Sequence, residues 1–141
     1  MATLHHLIPI KAPPAKVFAA IATQDGNRGW WTADSMVEKK AGGNAEFGFV
    51  KRAVVFRMTV ERLDPDKTLV MSCHGDHPEW AGTTLEWTIE PAPDGSILMF
   101  NHKGWREITR YCTECNSMWG NLMFRLKAYV ETGKPGPQWT E

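Results

Sequence analysis

Residues Arg106–Gly133, REITRYCTECNSMWGNLMFRLKAYVETG, decide how the rest of the chain is read. Ile108, Cys112, Cys115, Trp119, Leu122, Leu126 and Tyr129 follow one another at intervals of 4, 3, 4, 3, 4 and 3. Apolar side chains at that spacing fall on one side of an α-helix. Gly133 supplies a helix stop, and Pro135 and Pro137 prevent continuation. The pattern predicts a long helix over about residues 106–132 whose apolar stripe has to lie on another layer.

The segments before it supply that layer. TLHHLIPI places Leu4, His6, Ile8 and Ile10 on one side of an opening strand, ended by Pro13-Pro14. Proline in the first turn then starts a helix in which Val17, Phe18 and Ile21 share a face, and DGNRGWW reads as a second short helical turn or tight loop. From Asp34 to Lys103 the period changes to two. Ala45, Phe47 and Phe49 alternate, as do Val54, Phe56, Met58 and Val60, then Leu69, Met71 and Cys73, then Leu85, Trp87 and Ile89. DPDK and APDG mark turns between them. Short turns between consecutive strands predict an antiparallel meander of about seven strands once the opening strand is included. One face is charged, so the long helix covers the other.

Charge and composition bound the function. Sixteen basic and sixteen acidic side chains cancel to a formal charge of zero, which removes the electrostatic basis for nucleic-acid binding. No apolar run approaches the roughly 20 residues of a membrane span, and no secretory signal opens the chain. With three cysteines, an odd number, the expectation is a cytoplasmic domain with reduced thiols. A length of 141 residues suggests one domain over 1–141. Seven Trp and seven Met suit either a core around a cavity or dense packing.

Three local features carry a resemblance to a known family. IPIKAPPAKVFAAIAT resembles a strand followed by a helix that begins near proline and contains Val-Phe. The GWW at 29–31 stands where such domains carry a tryptophan after their second helix. FNHKGW followed by CNSMWGNLMFRLKAYVETGK resembles the closing pattern of His, Gly-Trp, Trp, Leu-Lys and Glu-Thr-Gly. The chain is identified as a member of the START/SRPBCC superfamily, similar to homologues of the activator of the ninety-kilodalton heat-shock-protein ATPase. The resemblance implies an α+β helix-grip fold: a curved sheet around a long C-terminal helix, with two short helices after the first strand. It also brings in lipid carriers, polyketide cyclases, hormone receptors and chaperone co-factors as functional classes. The extra N-terminal domain of the eukaryotic co-chaperones is not in this sequence, which weighs against chaperone-ATPase activation.

A helix held by a bent sheet leaves a tapered apolar space, the ordinary setting of a ligand site. The residues expected around it are Trp31, Phe47, Phe56, Met58, Met71, Trp87, Phe100, His102, Cys115, Trp119 and Leu122. In SILMFNHKGW either Ile97-Met99-Asn101 or Leu98-Phe100-His102 points inward, and the family comparison favours the second set. His102 would then stand at one end of the space, as a hydrogen-bonding group, a general base near neutral pH, or a satisfied core histidine. His74 and His77 are expected in a loop at the cavity mouth. Cys112 and Cys115, on the helical stripe, read as small buried hydrophobes. A redox pair would require a helix N-terminus, whereas the predicted helix start places them two turns inside. No standard spacing joins them to Cys73, His74 and His77 as a zinc site, so no metal and no cofactor are expected. Gly-x-Ser-x-Gly, phosphate-loop, dinucleotide and His-Glu-x-x-His motifs are absent, and Glu46, Arg57, Glu61, Glu86 and Glu90 face outward. The reading that follows is binding of a small apolar, aromatic or lipid-like molecule. The alternatives are a cyclase-type enzyme using His102 and a module that stimulates a chaperone ATPase. Trp139, in the tail KPGPQWTE, packs on the domain itself or on a second copy in a homodimer.

Overall fold

The structure, a computed structural model, describes all residues 1–141. Strand β1 (Ala2–Ile10) is followed by helices α1 (Pro14–Ala22) and α2 (Gln24–Trp30). Strands β2 (Asp34–Val37), β3 (Asn44–Phe49), β4 (Val54–Asp64), β5 (Thr68–Cys73), β6 (Thr84–Ala92) and β7 (Gly95–Trp105) then lead to α3 (Arg110–Thr132). The seven strands form one sheet in the order β1-β7-β6-β5-β4-β3-β2, every neighbouring pair antiparallel. Strands β2 to β7 are a meander, and β1 adds to its free edge beside β7. This is the helix-grip architecture expected from the sequence, with a continuous core of 32 buried apolar residues shared by the sheet and the helices.

Local chemistry sets the helix ends. Pro14 opens α1 at a position where its missing N–H costs nothing. Thr23 caps α2 by accepting the Gly26 N–H at 2.9 Å. Gly26 is required there, because a Cβ would lie 2.3 Å from the Ala19 carbonyl oxygen. At Gly29 a Cβ would meet the Tyr129 ring at 2.2 Å and push that side chain aside, so GWW reports a close approach of α2 and α3. Gly133, with φ of 81°, closes α3 in a left-handed conformation that its sequence position foretold.

The start of α3 differs from the expected one. The helix begins at Arg110, with Thr109 as its cap accepting the Cys112 N–H at 3.0 Å. Ile108 lies before the helix and is 72% exposed, so it is not part of the stripe. Periodicity extended the helix one turn too far because Ile108 happens to fit the spacing, while the capping threonine is the physical boundary. At the other end Val130 is buried and Tyr129 only partly so. In β4 the register shifts between Val60 and Arg62, which ends the clean inward alternation there.

Candidate functional site

The helix does not cover the sheet evenly. Over the centre, Trp87, Phe100 and Trp119 pack ring on ring, with centroids 4.2 Å apart for Trp87–Phe100 and 4.4 Å for Phe100–Trp119. Trp30 closes edge-on against Trp87. This aromatic block leaves no space. Toward the β3–β4 end a hollow of about 370 Å³ opens between β4, the first half of α3, the β5–β6 loop and the C-terminal tail. Twelve of its thirteen lining residues are hydrophobic.

Its walls come from α3, the end of α2, strands β3 and β4, the loop after β5 and the C-terminal tail. From α3, Tyr111, Cys115, Met118, Trp119 and Leu122 face it. Trp31, at the end of α2, stacks on Phe47 at 4.3 Å and meets Trp119 at 5.3 Å to form the floor. Trp80, in the loop after β5, lies flat on Phe56 of β4, with centroids 4.2 Å apart and 12° between planes. His77 in the same loop stacks on Tyr111 at 3.9 Å and 7°. The tail completes the ring: Trp139 packs edge-on against Phe49 at 4.9 Å. That tail is held to the domain itself. Trp139 N–H donates to the Trp31 carbonyl at 3.1 Å, Ala33 N–H donates to the Trp139 carbonyl at 2.9 Å, and Arg125 Nε donates to the Gly136 carbonyl at 2.8 Å.

One buried polar thread fixes these walls relative to each other. Trp119 Nε1 donates to His102 Nδ1 at 3.1 Å, and His102 Nε2 lies 2.9 Å from Thr83 Oγ1. Thr83 Oγ1 in turn donates to the Trp80 carbonyl at 2.7 Å, so it accepts from His102. The order of donors defines the tautomer: His102 is neutral, with its proton on Nε2 and its Nδ1 lone pair occupied. Burial lowers its pKa from 6.5 to about 3. The ring is 0% exposed. His102 thus ties α3, β7 and the β5–β6 loop together, and it has no free nitrogen for a ligand or a substrate proton.

Of the residues expected around the space, Trp31, Phe56, Cys115, Trp119 and Leu122 line the hollow. Phe47, Met58, Met71, Trp87, Phe100 and His102 do not; they are fully packed core beneath it. They face inward as the alternation required, but inward at the centre of the sheet means against the aromatic block. His77 is at the mouth as expected. His74 is turned to the outer face instead, its Nε2 2.6 Å from Thr59 Oγ1. No three His, Cys, Asp or Glu side chains gather in a metal-holding arrangement. Among the lining residues left out of the expected set, Tyr111 and Met118 had a signal: Tyr111, Cys115, Met118 and Leu122 form a second 4-3-4 stripe beside the main one. Trp80, in the aperiodic loop CHGDHPEWAG, and Trp139, in the tail, had none.

The cysteines also differ in position from the expectation. Cys112 is the third residue of α3, not two turns inside, so the pair does sit at a helix N-terminus. Their surroundings nonetheless raise the thiol pKa values, where a redox pair has them lowered. All three cysteines are free. Burial raises the pKa of Cys112, with the Glu79 charge adding to it. Burial also raises Cys115, partly offset by the Tyr111 hydroxyl and the Trp80 indole. Cys73 is pushed up to about 11 by burial.

A curved antiparallel sheet, two short helices after the first strand and a long helix over an apolar hollow define the START-like, helix-grip class of protein. Within it the match is specific. The family model described as "Activator of Hsp90 ATPase homolog 1-like protein" matches residues 11–131, and the chain belongs to that family. A solution structure of an Aha1 dimer from Colwellia psychrerythraea is 31% identical, covering 96% of this chain and 100% of that one at a TM-score of 0.86. An X-ray structure of a protein from Staphylococcus saprophyticus, 14% identical, covers 99% and 98% at a TM-score of 0.82. An NMR structure of an AHSA1-like protein from Aeromonas hydrophila, 16% identical, covers 94% of each chain at a TM-score of 0.75. No curated protein sequence matches the chain. No helix is long and apolar enough to cross a membrane.

Proposed function

We propose that the domain binds a small apolar molecule, aromatic or lipid-like, in the hollow beside α3. The observation that carries this reading is the hollow itself. At about 370 Å³ it lies within the range of small-molecule sites, roughly 300–1,000 Å³, and its walls are almost wholly hydrophobic. Flat rings on several sides suit a flat ligand. Val50, Val54 and Met118 stay exposed at the rim, so apolar surface faces solvent until something covers it. Cyclase-type chemistry through His102 finds no support in this geometry, because both ring nitrogens are engaged and burial keeps the ring neutral.

A fluorescent apolar probe tests the reading. Saturable binding is expected, with loss in Cys115→Phe, which fills the hollow from the helix side. Binding that ignores this substitution, or no saturable binding, would overturn it. A second reading draws on the Colwellia psychrerythraea relative, whose structure is a dimer. The exposed Phe124 of α3 and the apolar rim offer surface to a second copy. Sedimentation equilibrium with and without the apolar probe separates pairing from ligand binding. Stimulation of a chaperone ATPase, the activity in the family's name, is checked by the ATPase rate with and without this protein.

A further inference from the structure

The few polar groups on the hollow have a consistent sense. His77 Nδ1 accepts the Glu79 backbone N–H at 3.1 Å, which requires that nitrogen to be unprotonated. In the neutral ring the proton is therefore on Nε2, and this N–H has no acceptor in the protein. The stack on Tyr111 and the Nδ1 bond together hold the ring in place at the mouth. Trp80 Nε1, in the same wall, also lacks a hydrogen-bond partner, but it is fully buried and so closed to a ligand. It lies near the Tyr111 hydroxyl and the Cys115 thiol, where it offsets part of the rise that burial gives the pKa of each. The hollow thus offers one open donor that lacks an acceptor, the His77 Nε2–H.

Charge points the other way from an anionic ligand. The lining residues include no Lys or Arg. The Glu79 carboxylate, anchored by the Thr109 hydroxyl, is close to the wall. Burial raises the pKa of Tyr111, Cys112 and Cys115, and the Glu79 charge adds a smaller rise to each, so its field reaches the wall. A bound carboxylate would sit in that field, in an apolar space where water screens little.

Resting on the ligand-binding reading above, we infer that the hollow selects neutral apolar molecules bearing one carbonyl-type acceptor, a ketone, ester or lactone, with His77 Nε2–H as the donor at its mouth. The apolar body lies among Trp31, Trp80 and Trp119. The carbonyl oxygen accepts from His77, and a carboxylate in its place is disfavoured by Glu79.

Three probes with nearly the same body test this: 2-acetonaphthone, 2-ethylnaphthalene and 2-naphthoate, each titrated into the full chain by ligand-observed NMR. One net hydrogen bond predicts that the ketone binds about fivefold more tightly than the hydrocarbon. Naphthoate is expected to bind more weakly than the ketone. His77→Phe keeps a ring on Tyr111 but removes the donor, and should bring the ketone to the affinity of the hydrocarbon while leaving the hydrocarbon unchanged. His77→Gln, whose amide nitrogen reaches the place of Nε2, should keep the preference. Equal affinities for ketone and hydrocarbon in the unmodified protein overturn the inference. So does a preference that survives His77→Phe, or naphthoate as the tightest probe. Failure of all three to bind overturns the ligand-binding reading itself.

Discussion

Acidification should weaken the fold through one buried ring. In the folded protein burial holds His102 at a pKa of about 3, against an ordinary 6.5 in the unfolded chain. Between those values the unfolded chain binds a proton that the folded one refuses. The stability tied to His102 is therefore fully present above pH 6.5 and is lost as pH falls from there toward 3. Within that window each pH unit removes up to about 1.4 kcal/mol, and the whole interval roughly 5 kcal/mol. Between about pH 7.5 and about pH 5 the loss is about 2 kcal/mol. That range lies above the carboxylate region. Asp76 and Glu86, held below their ordinary values by Arg57 and Lys103 despite partial burial, and Glu131, held down by the Lys11 backbone N–H and then Lys127, add their own losses only at lower pH. Urea unfolding followed by tryptophan fluorescence at several pH values measures the slope. His102→Gln lowers stability at every pH, since Trp119 and Thr83 lose their partner, but it should remove about 2 kcal/mol of the pH dependence. A variant with the slope of the unmodified protein, or an unmodified protein that is flat over this range, would refute the assignment of a neutral, fully bonded His102.

Other substitutions probe the same frame. Trp119→Phe keeps the ring packing but leaves His102 Nδ1 without a donor, and should cost about 1–3 kcal/mol in urea unfolding. Trp139→Ala removes the tail's wall from the hollow; it should weaken apolar-probe binding by several-fold, read by titration, with a smaller effect on stability than Trp119→Phe. Lys51, with φ of 55°, stands in a turn where Val50 and Arg52 are also left-handed. Lys51→Gly should stabilise by roughly 0.5–1 kcal/mol in urea unfolding, because glycine takes that conformation without strain. Because burial raises Cys112 and Cys115, alkylation of the native protein at about pH 7.5 should be much slower than that of an unstructured peptide thiol, and rapid labelling would show that the helix start frays.

What the sequence made legible was periodic. The two-residue alternation of Leu85, Trp87 and Ile89, and the 4-3 spacing from Cys112 to Leu126, each report one buried face, and together they define the sheet and its helix. The site was only half legible. Periodicity says that Phe47, Met71 and Phe100 point inward, but not whether space or another ring waits for them. Here the Trp87–Phe100–Trp119 block fills the centre and moves the hollow toward β4. Trp80 and Trp139, which wall that hollow, lie in segments with no period at all. Their places depend on long-range contacts, Trp80 on Phe56 and the tail on the backbone of Trp30 and Trp31, that no local pattern encodes. His102 pointed inward as the family resemblance implied, yet its role was decided by its partners Trp119 and Thr83.

Two-dimensional NMR of the protein titrated with 2-acetonaphthone puts the weight on a single result. Saturable shifts confined to the indole signals of Trp31, Trp80, Trp119 and Trp139 and the methyl groups of Met118 and Leu122 are the predicted outcome. An unchanged spectrum, or shifts that cluster away from these six residues, would mean that the space beside α3 holds no ligand.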